Sequence, residues 1–141
     1  MLFLDQLTFE SSADPKGYVV QFYGFPFEDD TAFYRAVVDP YWVAGEGEEP
    51  NLEFALDAVK RAAGYDRITI VDVWSDMEET EIYFMLAVAS ATKTMGDRLT
   101  RMSAEQLEFI AQAARLRGTR ACWMRSTYKL HELKEMNVPP L

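Results

Sequence analysis

The sequence predicts an α+β fold, a mainly antiparallel sheet of about five strands with helices packed largely on one face, in a single domain over residues 1–141. Three observations lead there. The stretch Arg67 to Ala89 reads as two strands joined by a turn, and from Ile82 to Ala89 every residue is apolar, so both faces of that strand should be covered. Two segments carry complete helix-boundary signals, Asn51 to Gly64 and Ser103 to Gly118. Finally, 49% apolar and 26% charged residues over 141 positions describe a chain able to build a sizeable core, and no apolar run approaches the ~20 residues of a membrane span.

In chain order, Leu2 to Glu10 and Tyr18 to Phe25 have strand composition and flank Asp14, Pro15 and Gly17, a hairpin pattern. Phe25-Pro26-Phe27 should end the second strand. Glu28-Asp29-Asp30 then offers a cap for a short helix over Thr31 to Val38, which Pro40 closes by disfavouring helical backbone at Asp39. Tyr41 to Pro50 has two glycines, three glutamates and no periodicity, so it is a loop with Trp42 as its expected anchor. Asn51 caps the next helix, Leu52, Leu56, Val59 and Ala63 form its apolar stripe, and Gly64 stands where a left-handed cap belongs.

The central hairpin follows, Ile68 to Trp74 and Ile82 to Ala89 around the polar turn Ser75 to Thr80. Ile82, Phe84, Leu86 and Val88 should face inward, with Tyr83 and Met85 covered on the other side. Residues 90–102 fit loop or weak helix. Ser103 and Gln106 make a capping box for the last helix, with Leu107, Phe109, Ile110, Ala111 and Ala114 as its apolar side. Thr119 to Leu130 is rich in strand formers and should return to the sheet.

The net charge of −9 argues against a phosphate-neutralising surface, so direct nucleic-acid binding is not expected. Charge is uneven: residues 1–90 carry net −13 and residues 91–141 net +4. The first ten residues lack the basic n-region of a signal peptide, and a single cysteine, Cys122, permits no internal disulfide, so a cytoplasmic protein is expected.

Chemistry-bearing constellations are sparse. Asp72, Asp76, Glu78, Glu79 and Glu81 could gather around a hard cation, but the glycine and alternating ligands of an EF-hand loop are missing, and a solvated turn is the favoured reading. Asp72 lies inside a strand and would be an acid/base candidate if buried. Cys122 stands between Arg120 and Arg125, neighbours that favour a thiolate, yet the only histidine, His131, is too far along the chain to pair with it without a reversal. Lys93-Thr94-Met95-Gly96-Asp97-Arg98, between a strand and a helix, resembles the acetyl-CoA pyrophosphate loop of GNAT-type N-acetyltransferases, which reads Gln/Arg-x-x-Gly-x-Gly/Ala. Gly96 matches the pattern. Lys93 replaces Gln or Arg, Arg98 stands where the family has a small residue, and one strand expected before the loop is absent. The resemblance implies a degenerate acyl-CoA N-acyltransferase-like protein.

The composition instead favours a non-enzymatic interaction module, an inhibitor or adaptor with no cofactor or metal, whose acidic and aromatic surface meets a basic protein partner. The residues expected to form it are Phe27, Glu28, Asp29 and Asp30, then Trp42, Glu46, Glu48 and Glu49, then Asp76, Glu78 and Glu79. No membrane association is expected, and a homodimer is compatible with the pattern. The alternative is a small-molecule-binding domain or small enzyme with a pocket between sheet and helices.

Overall fold

The computed structural model describes residues 20–76, 78–92 and 103–127. Over them the elements run β1 (Val20–Phe27), α1 (Asp30–Val37), α2 (Leu52–Ala63), β2 (Thr69–Trp74), β3 (Ile82–Thr92), α3 (Ala104–Ala113) and β4 (Cys122–Ser126). The content is α+β with an antiparallel sheet, but the sheet has four strands among the described residues instead of about five. The expected strand Leu2 to Glu10 lies outside them. The four strands also close on themselves in the order β1-β3-β2-β4, with β4 pairing to both β1 and β2.

Local signals explain the helices. The Asp29 side chain accepts from the Ala32 N–H at 3.0 Å and starts α1. Asn51 does the same for α2 through the Phe54 N–H at 3.1 Å, and Gly64, at φ 65°, ends it with its N–H on the Lys60 carbonyl. Ser103 and Gln106 complete the capping box of α3. β1 runs two residues further than expected. Pairing to β4 stops at Gly24, so among the described residues Pro26 has no strand partner on that side, and there its missing N–H is tolerated.

The period-two alternation sorts the strands into two apolar clusters. One lies inside the closed sheet: Phe22, Val71, Val73, Met85 and Ala87, with Tyr83 and Met124 packed against it. In the other, Tyr23, Phe25 and Phe27 of β1 and Leu86 and Val88 of β3 share a core with Phe33 of α1, Ala55 and Val59 of α2, and Leu107 and Ile110 of α3. β3 therefore has both faces covered along most of its length. Ile82 is the exception. It begins the strand at 54% exposure, because among the described residues only Trp74 at the end of β2 pairs with it. Phe109, expected on the apolar side of α3, is 65% exposed, since Leu107, Ile110 and Ala111 are the positions that turn toward α2 and the sheet. No helix among the described residues is long and apolar enough to cross a membrane.

Candidate partner-binding surface

The β1–α1 corner begins with Phe27. Alternation along β1 places it on the same face as Tyr23 and Phe25, and its ring stacks on Phe33 at 4.4 Å and on Phe84 at 5.5 Å. Phe27 is thus a core residue at 8% exposure, a different position from the surface anchor expected of it. Beyond it the chain reaches solvent. Glu28 and Asp29 are exposed and Asp30 half-buried, with Asp29 committed to capping α1.

Glu28 has a partner on β3. The hydroxyl of Tyr83, at the start of β3, donates to its carboxylate. That bond, helped by desolvation and by the nearby charges of Glu28 and Glu81, pushes the Tyr83 phenol up to about 12, because ionising it would lose the donor and set a phenolate beside carboxylates. Tyr83 thus feels acidic charge from both sides of the chain, from Glu28 at the β1–α1 corner and, more weakly, from Glu81 two residues before it. In an ultraviolet titration one tyrosine should ionise about two pH units above the ordinary value of ~10, and Glu28→Gln should bring it back toward that value. Since the folded-state pKa is the raised one, the associated stability is present below pH ~10 and is lost as pH rises toward 12. A spectrum in which Tyr83→Phe removes an ordinary tyrosine transition would disprove the contact.

The β2–β3 turn is built by its own acids. The Asp76 carboxylate accepts the Thr80 hydroxyl, the Thr80 N–H at 2.9 Å and the Glu81 N–H at 3.4 Å, and these bonds hold it below the usual carboxylate range. The Ser75 N–H closes the turn on the Glu81 carbonyl at 2.9 Å. Glu79, in the left-handed region at φ 58°, forms an ion pair with Arg125 at 3.2 Å, tying the turn to β4, while Glu78 is exposed. Among the described residues no three His, Cys, Asp or Glu side chains come together to hold a metal ion.

The loop after α1 is also locally organised. The Arg35 Nε donates to the Trp42 carbonyl at 2.8 Å, the Tyr41 N–H to Asp39 at 2.9 Å, and the Gly45 N–H to Glu48 at 3.0 Å. Trp42 is half-buried, its ring edge-on to Tyr34 at 5.2 Å, and anchors the loop to its own helix. The aromatic left in solvent is its neighbour Tyr41, 88% exposed, with Val43 also exposed beside Glu46, Glu48 and Glu49. Among the described residues, the hydrogen bonds of this loop run between residues 34 and 48.

A groove of about 380 Å³ opens at the corner. One wall is Pro26, Phe27, Ala32, Phe33 and Ala36, with Glu28 and Asp29 at its lip. Tyr83 also lines it, and the C-terminal end of α3 supplies Ala114, Arg115 and Leu116. Arg115 has φ 59° and sits just past α3, at the point where Leu116 N–H turns back to the Ala111 carbonyl. Neither Tyr83 nor Arg115 was among the expected site residues: Tyr83 was legible only as the one hydroxyl in the apolar run Ile82 to Ala89, and Arg115 only as a helix-end charge.

Asp72 is half-buried on the same strand face as Ile70 and Trp74, and its backbone carbonyl accepts from the Thr127 N–H at 3.3 Å. Cys122 is half-buried opposite Gly24 in the β1–β4 ladder. His131 and the Lys93–Arg98 loop lie outside the described residues. Comparison with protein families, with curated proteins and with solved structures finds no match for this chain.

Proposed function

We propose that this chain is a non-enzymatic interaction module, an inhibitor or adaptor, that offers an acidic surface with aromatic contacts to a basic protein partner. The carrying observation is the acidic charge of Glu28 and Glu81 around Tyr83, within residues 1–90 that hold the net −13, beside a largely apolar groove that the end of α3 also lines. The reading takes the helices as packed largely on one face of a single domain, supported by the core that all three share with β1 and β3. It assigns steering to Glu28, Asp29, Asp30, Asp76 and Glu78, and to Glu46, Glu48 and Glu49. Contact energy falls to the exposed Tyr41 and the groove walls, because Phe27 and Trp42 are already engaged by their own chain. Cytoplasmic residence is part of the same proposal.

The 380 Å³ groove favours a second reading, a small-molecule-binding domain with its pocket between sheet and helices. Charge separates the two. Affinity purification with the intact chain and with an E28K/E81K variant, read by mass spectrometry, should recover a basic protein only with the former. Its association rate should fall about tenfold or more between about 50 and 500 mM salt, with dissociation little changed. Equal recovery by both chains, or an on-rate indifferent to salt, would leave the acidic surface as a solubility device and make the pocket the better reading.

A further inference from the structure

We infer that the groove between α1 and the end of α3 seats one lysine-type side chain of the basic partner, its alkyl stem along Ala32, Ala36 and Phe33 and its ammonium at Glu28 and Asp29. The inference rests on the interaction reading above and adds where and what the partner inserts. A volume of about 380 Å³ lies at the low end of ligand sites, suited to one side chain rather than a large cofactor. The lining is mostly apolar, with Glu28, Asp29, Tyr83 and Arg115 as its polar members, and long cationic side chains bury their methylenes against apolar walls while keeping the charge at the rim. Glu28 is held in place by the Tyr83 hydroxyl and Asp29 by the α1 N–H it caps, so neither carboxylate has to be ordered on binding. Among the described residues, Arg115 is the one cation lining the groove, against two carboxylates, and sets the sign of a test.

The probe is n-hexylammonium, titrated at low salt into the full chain and followed by amide chemical shifts. Shifts should concentrate at Phe33, Ala36, Tyr83 and Leu116 and saturate. Hexanol should bind about two- to fivefold more weakly, the scale of one exposed ion pair, and hexanoate should leave these amides unmoved. Glu28→Gln should weaken hexylammonium by a similar factor, Arg115→Gln should tighten it, and Ala36→Trp, which fills the groove from an exposed position, should abolish it. Preference for hexanoate, or weakening by Arg115→Gln, would show a carboxylate site and overturn the proposal. If hexylammonium moves nothing while an octapeptide of alternating lysine and alanine still binds in a salt-sensitive way, the groove assignment fails and the acidic surface stands. If neither binds, both fall.

Discussion

Gly24→Ala is expected to cost about 3 kcal/mol or more in urea melts, and Gly24→Val to abolish the cooperative transition. Gly24 is buried in β1 with β3 on one side and β4 on the other, opposite Ala87 and Cys122. The β1–β3 register slips there: Tyr23 faces Ala89 and Gly24 faces Ala87, which leaves Val88 as the extra residue of a bulge. A β-carbon at Gly24 would overlap the Leu86 carbonyl oxygen and stand 2.8 Å from the Ala87 Cα. Those obstacles are backbone, so relief requires moving a strand that is paired on both edges, and no rotamer change can substitute for it. Four strands close only if they bend sharply, and the bulge at Val88 with a glycine opposite it supplies the bend. An alanine variant that loses less than ~1 kcal/mol would mean that β1 and β3 do not approach this closely, and the closed sheet would be wrong.

What could be read in the sequence was what is decided within a few residues. Asn51 and Gly64 bracket α2, Ser103 and Gln106 open α3, and both strands of the central hairpin were visible because capping and alternation are local. Closure of the sheet was not, since it depends on β4 pairing with β1 and β2 across most of the chain, and five residues of strand composition do not name two partners. Phe27 was misplaced for the same reason. Pro26 looks like a strand terminator unless the loss of β4 pairing beyond Gly24 is known, and only then does the alternation carry Phe27 into the core. The acidic segments were legible as composition but not as use: Asp29 caps a helix, Asp76 ties a turn, and Glu79 meets Arg125 from another strand. Charge counts cannot separate such committed carboxylates from those left to a partner. Tyr83 joins Glu28 and Glu81 only after β3 has been laid beside the end of β1.

Phe22→Ala should have the second large effect, a loss of roughly 3 to 5 kcal/mol. Phe22 points into the closed sheet at 0% exposure, where its neighbours are Val71, Val73, Met85 and Ala87, and it is the largest side chain fully buried in that cluster. The enclosure is small and its walls are hydrogen-bonded strands, so removing the ring leaves a cavity that the backbone cannot collapse to fill. Phe84→Ala offers the contrast. Phe84 is half-buried on the helix-facing side of β3, where solvent can take up part of the vacated space, so its loss should be the smaller of the two. Urea midpoints should fall in that order with the slope of the transition unchanged. Were Phe84→Ala the costlier substitution and Phe22→Ala nearly neutral, stability would reside in the helix-covered core alone, and the sheet would behave as an open one with Phe22 at its free face.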